Sequence, residues 1–176
     1  TLFFLFQNTA LTYTQAANVS VLISVAPFFT ALLSRLVLKD EILHLGFFIG
    51  FALAILGIGL VSYTGNANLQ LNPLGDLLAI ACAAVWAVYS ILMKKISLTG
   101  YETIPTTRKI FFYGLLFTLP VLPAFGFKLE LARLASLPNL LNLLYLGIGA
   151  SALCFVTWNY ALGILGTVRT SVYIYA

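Results

Sequence analysis

Long apolar runs separated by short polar turns make up almost the whole chain, and this alternation constrains the fold more than any motif does. A helix needs about 20 mainly apolar residues to cross a bilayer. Five stretches approach that length, at about residues 19–38, 45–63, 74–93, 110–127 and 140–162, and two partial ones stand at the ends, up to Thr14 and from Thr167. Hydrophobic residues fill 61% of the 176 positions and charged residues only 8%, against about 25% charged in a soluble domain. A soluble globule of this size could not hide so much apolar surface, because too much of a small globule faces water. Lipid removes that constraint. The chain reads as an all-α, polytopic transmembrane helix bundle whose first partner is the lipid bilayer.

Local signals punctuate the spans. Asn18 is placed to cap the second, and Lys39-Asp40-Glu41 to end it. Gly46, Gly50 and Ala54 recur at four-residue spacing in the third, a pattern that allows close backbone approach in lipid. Asn72 and Pro73 suit the cap and first position of the fourth. Asp76 falls in its first turn and Lys94-Lys95 at its end, both complementing the helix dipole. Pro120 and Pro123 break the distal part of the fifth, and Ser136-Leu137-Pro138 opens the sixth.

Consecutive spans alternate in direction, so the cations can be sorted by side. Arg35, Lys39, Lys94, Lys95, Arg108, Lys109 and Arg169 fall on one side, and only Lys128 and Arg133 on the other. The positive-inside rule makes the first side cytoplasmic. With nine Lys and Arg in small separate groups, the chain lacks the continuous basic face that nucleic acid requires, so no nucleic-acid partner is expected.

The chemistry-bearing residues are few. Asp40, Glu41, Asp76, Glu102 and Glu130 all sit in turns or at helix ends, not at the middle of a span where proton relays are built. The single His44, with Cys82 and Cys154 inside apolar runs, makes no metal-ligand pattern, and the cysteines read as small hydrophobes. No catalytic constellation and no phosphate-cradling glycine loop is present, so neither an enzyme nor a cofactor site is expected. Polar and aromatic side chains within spans remain. Trp86 and Tyr89 lie near the middle of the fourth span, an unusual depth for Trp; they suit either a cavity wall with a stacking surface or helix packing. Asn8 and Asn159 each need a hydrogen-bond partner in lipid and suit either the pathway or a helix contact. Trp158 is a further pathway candidate, although its place nearer the cytoplasmic end also fits an interfacial belt. Pro27 lacks an N–H and is a hinge candidate. Arg35, Lys39 and Glu41 form a cytoplasmic turn suited to a clasp or to anchoring.

Residues 1–25 align on residues 152–176 without gaps at an offset of 151. The identities are Leu2/Leu153, Phe4/Phe155, Asn8/Asn159, Ala10/Ala161, Leu11/Leu162, Ser20/Ser171, Val21/Val172 and Ile23/Ile174. The copies lie an odd number of spans apart and so face opposite ways. Inverted repeats of this kind occur in many secondary carriers, whose halves rock about a central site. Two classes follow: a secondary carrier of small organic metabolites working by alternating access, and a non-transport membrane protein, either a structural subunit or a membrane enzyme. Oligomeric state, including a homo-oligomer, is left open.

The run Ala10-Leu11-Thr12-Tyr13-Thr14-Gln15-Ala16-Ala17-Asn18, continuing through Pro27 to Leu38-Lys39-Asp40-Glu41, resembles the drug/metabolite transporter superfamily, and more narrowly its ten-helix EamA-type branch. The Gly46–Gly59 span, Gly75-Asp76-Leu77-Leu78-Ala79 with Trp86, and Gly147–Leu162 with Trp158 carry the resemblance onward, over the whole chain. It implies an internal fragment of a ten-helix transporter with cytoplasmic termini. Residues 1–66 would then hold the end of the first repeat (the C-terminal part of helix 3, and helices 4 and 5). Residues 67–176 would hold a truncated second repeat (helices 6 to 8 and the start of helix 9). It also implies a small-molecule substrate and a bacterial inner (plasma) membrane.

Overall fold

A computed structural model of the chain describes residues 1–39, 45–64, 72–123, 126 and 136–175. The described residues form the helices α1 (Leu2–Tyr13), α2 (Ala16–Ile23), α3 (Ala26–Val37), α4 (Leu45–Thr64), α5 (Pro73–Leu98), α6 (Thr103–Thr118), α7 (Leu137–Leu144), α8 (Cys154–Leu165) and α9 (Thr167–Val172). A π-helical stretch, Tyr145–Leu153, joins α7 to α8 without a break. Among the described residues, three helical segments have both the length and the apolar composition to cross a membrane: Ala16–Val37, Pro73–Leu98 and Leu137–Leu165, of 22, 26 and 29 residues. Large apolar side chains such as Leu53, Leu77, Phe112 and Ile148 are exposed around the bundle. In water that surface would be a liability; facing acyl chains it is the expected exterior.

The central element is α5. One of its faces carries Gly75, Ala79, Cys82, Ala83, Ala87 and Ser90, all buried. Their three- and four-residue spacing is one helical stripe, and their size lets neighbouring backbones come close. Helices α1, α2 and α3 occupy that face. Ala10, Val19 and Ala79 form its core where α1, α2 and α5 meet. The approach is closest at the start of α5, where a Cβ added to Gly75 would stand 3.0 Å from Tyr13 Cβ and from Thr14 Cγ2. On the far side, Thr167 Oγ1 donates to Ser34 Oγ at 2.9 Å, tying α9 to α3 through two buried hydroxyls.

The cap expected at Asn72 is present: its Oδ1 accepts from the N–H groups of Leu74 and Gly75 at 3.2 and 3.3 Å. Replacing Asn72 by Ala leaves those donors bare, and thermal unfolding of the variant should report a loss of about 1 kcal/mol. Asn18 is not a cap. The second span starts earlier, at Ala16 with Gln15 as N-cap, because extended Thr14 and Gln15 reverse the chain in two residues. Asn18 is thus buried inside α2, where its Nδ2 donates to Thr14 Oγ1 at 3.1 Å. The fifth span also starts earlier, at Thr103, and takes Thr106, Thr107, Arg108 and Lys109 into α6. Basic residues at the end of a span need not leave the helix, since their stems can reach the interface. As the prolines imply, α6 gives way to a 3₁₀ turn at Leu119–Val121. Gly46 and Gly50 have no neighbour within 4 Å of an added Cβ among the described residues. Helix α4 instead meets the end of α2 and the start of α3 through Phe51, stacked on Phe28 at 5.4 Å.

Pro27, fully buried, sits at the second position of α3, just after a break at Ser24 and Val25. It cannot donate to the Ile23 carbonyl. The ladder tightens there, with Val25 N bonded to Leu22 O and Phe28 N to Val25 O. The Ser24 carbonyl, left without its usual donor, accepts the hydroxyl of Tyr175.

Candidate functional site

A cavity of about 1060 Å³ lies between α1, α5 and α6, with Phe155 of α8 completing one wall. Its rings are Phe3 and Phe4 from α1, Trp86 and Tyr89 from α5, Phe111 and Phe117 from α6, and Phe155. Among the described residues the polar lining is limited to Thr1, Asn8, Tyr89 and Thr118, with no Asp, Glu, Lys, Arg or His side chain among them.

Helix geometry explains why these residues meet. Trp86 and Tyr89 are three apart on α5 and share a face, beside the small-residue stripe that seats α1. Their ring centroids are 5.5 Å apart. Trp86 also packs against Phe3 at 5.1 Å, Trp158 at 5.3 Å and Phe155 at 5.7 Å. Phe155 meets Phe111 edge-on at 5.1 Å and Phe4 at 6.3 Å. Helices α1, α5, α6 and α8 are therefore joined by one aromatic cluster whose open side is the cavity. Edge-to-face and offset contacts of this kind add roughly 0.5–1.5 kcal/mol per pair. The indole N–H groups of Trp86 and Trp158 are buried with no acceptor among the described residues.

Beside the cluster lies a hydrogen-bonded chain. Tyr89 Oη donates to Asn159 Oδ1 at 2.8 Å, Asn159 Nδ2 donates to Thr107 Oγ1 at 2.9 Å, and Thr107 Oγ1 donates to the Thr103 carbonyl at 2.8 Å. Every donor points the same way along the chain, so the bonds reinforce one another. Asn159 is 2% exposed and uses both ends of its amide. Asn8, its counterpart in the alignment of residues 1–25 with 152–176, is exposed and lines the cavity.

The residues singled out by sequence thus separate. Trp86, Tyr89 and Asn8 line the cavity. Asn159 stands behind the wall, as a joint between α5, α6 and α8. Trp158 packs on Trp86 in the aromatic cluster and is not among the residues that line the cavity. Pro27 lies away from the cavity, at the break between α2 and α3. Arg35 and Lys39 are exposed at the end of α3, with Lys39 in the left-handed region at φ 56°; Glu41 lies outside the described residues. Thr107 was hidden from sequence reading in what looks like a polar turn. Phe3, Phe4, Phe111 and Phe155 were not singled out, because Phe in a span fits a lipid-facing surface as well as a cavity wall. One signal was available: Phe4 and Phe155 are an identical pair in the internal alignment.

The profile of the EamA-like transporter family matches residues 1–63 and 73–176. The chain belongs to that family, and with its long apolar helices it is an integral membrane protein. It is 32% identical over 178 residues to an uncharacterized transporter of Archaeoglobus fulgidus, covering 99% of this chain and 59% of that protein. It is 28% identical over 160 residues to a probable terminal-alkyne amino-acid exporter of Streptantibioticus cattleyicolor, covering 91% of this chain and 52% of that protein. Against the uncharacterized transporter YdfC of Bacillus subtilis the identity is 26%, over 91% of this chain and 50% of that protein. The chain therefore spans little more than half the length of these curated relatives. No solved structure matches it.

Proposed function

We propose that the chain is part of a secondary carrier that moves small organic solutes across a membrane, the solute occupying the cavity between α1, α5 and α6. The observation that carries this reading is the cavity itself. It has the volume of a site for a small organic molecule, its walls are aromatic, and its few polar groups are uncharged. Such walls favour a solute with an apolar or planar body and a hydrogen-bonding group that Asn8 can reach. The probable terminal-alkyne amino-acid exporter among the relatives supports a small organic cargo. Residues 1–66 and 67–176 are read as parts of two repeats facing opposite ways, and alternating access follows from that reading. The two segments matched by one family profile and the contact between the repeat-related rings Phe4 and Phe155 both support it, since residues near a two-fold axis meet their own counterparts. The uneven distribution of Lys and Arg between the two sides supports cytoplasmic termini for the full-length protein, and the resemblance to the EamA-type branch supports a bacterial inner membrane.

The test is flux. The full-length protein, reconstituted in proteoliposomes and screened with amino acids, nucleobases and nucleotide sugars, is expected to move at least one class above the rate of empty liposomes. Monodisperse, folded protein that moves none of them would overturn the reading in favour of a membrane protein that does not transport.

A further inference from the structure

The cavity has a wall that is closed by polar contacts rather than by apolar packing alone. Along the seam between α5 and α8 the contacts run in order from the cavity to the helix ends. Trp86 meets Trp158 at 5.3 Å. Tyr89 Oη donates to Asn159 Oδ1 at 2.8 Å. Lys94 Nζ donates to the Gly163 carbonyl at 2.9 Å, in the last turn of α8, where the helix dipole favours a cation. Ser97 Oγ lies 3.0 Å from where a Cβ on Gly163 would stand. Tyr89 belongs to both structures, lining the cavity with its ring while its hydroxyl enters the seam.

Hydrogen bonds between side chains of membrane helices are individually weak. Beyond the ring contacts of Trp86 and Tyr89 with α8, the seam relies on a few such bonds, and that part can open at a smaller loss than a continuous interlocked apolar interface would allow. The two aligned amides sharpen the point. Asn159 is buried with both ends engaged, whereas Asn8 faces the cavity and makes no side-chain hydrogen bond among the described residues. The same residue type at repeat-related places does two different things.

We propose that the α5–α8 seam is a gate of the cavity, closed in this structure, and that Tyr89, Asn159 and Thr107 are its latch. Asn159 is then a positioning residue that acts through Tyr89, and Asn8 is the amide left to the solute. This rests on the carrier reading, which assigns the cavity to a solute.

The experiment reads the gate directly. In the full-length protein with its native cysteines replaced and held in nanodiscs, Ser97→Cys reports the outer part of the seam through its rate of reaction with a water-soluble maleimide. Tyr89→Phe removes one bond of the latch and should raise that rate about fivefold, the equivalent of one buried hydrogen bond; Asn159→Leu removes two and should raise it at least as much. Thr107→Ser keeps the hydroxyl and should leave the rate unchanged. Asn8→Leu should also leave it unchanged while lowering solute uptake. Equal rates in wild type, Tyr89→Phe and Asn159→Leu would overturn the latch. A rate raised as much by Asn8→Leu would overturn the division between the amides. If Asn159→Leu fails to fold, Thr107→Val breaks the same chain from its far end. The outcomes separate from those of the carrier reading. Faster labelling in a protein that moves no solute keeps the gate and rejects the carrier. Solute movement with unchanged labelling rejects only the latch.

Discussion

Trp86→Ala is expected to lower stability by roughly 3–5 kcal/mol and, on the carrier reading, to abolish solute uptake by the full-length protein. Trp86 packs at once on Phe3 of α1, on Tyr89 of its own helix, and on Phe155 and Trp158 of α8. In lipid, little hydrophobic driving force holds helices together, and dispersion contacts of this kind take its place. Truncation removes them all and opens the cavity into the cluster. Trp86→Phe separates ring from N–H. The indole N–H has no acceptor among the described residues, so phenylalanine loses only part of the packing and should cost less than about 1.5 kcal/mol. Circular dichroism melts of the detergent-purified protein, paired with uptake, test both. A Trp86→Phe variant as unstable as Trp86→Ala would mean that the N–H, not the ring surface, holds the cluster.

Gly75→Leu is the second. An added Cβ already stands 3.0 Å from Tyr13 Cβ and from Thr14 Cγ2, a distance at which a neighbour must yield. A whole leucine side chain requires α1 and the first turn of α5 to separate, at a cost of roughly 1–3 kcal/mol for overpacking. Helix α1 carries Phe3, Phe4 and Asn8, so the displacement propagates to the cavity although Gly75 does not line it. Solute affinity should fall together with the melting temperature. Gly75→Ala, which adds only the Cβ, should fall between the two. Wild-type melting in Gly75→Leu would show that the ends of α1 and α5 are free to part.

Much of the fold was legible from composition and punctuation. Apolar runs gave the spans, and Asn72 with Pro73 gave the start of α5. Boundaries failed where tertiary contact overrides local signals. Asn18 has a good capping side chain, but Thr14 and Gln15 turn the chain before it, so it is drawn into the helix interior. Arg108 and Lys109 look like a loop because they are charged, yet a helix at the membrane edge can hold them. The site was half legible. Trp86 and Tyr89 stood out by depth, Asn8 and Asn159 by polarity. What a linear reading lacks is the neighbour: nothing local to Asn159 says that Tyr89 and Thr107 will engage both ends of its amide, and nothing local to Trp158 says that Trp86 waits beside it.

The uncharged lining of the cavity has an electrical consequence. Helices α1, α5 and α6 and Phe155 offer a bound solute no counter-ion. A net charge on the solute is then not neutralised by these walls, and each elementary charge crossing the membrane is worth about 2.3 kcal/mol per 100 mV of potential. On these walls alone, carriage of a neutral solute would be indifferent to voltage and carriage of an ion would be driven or opposed by it. A current recorded on addition of solute would therefore report the charge of the cargo rather than that of the protein.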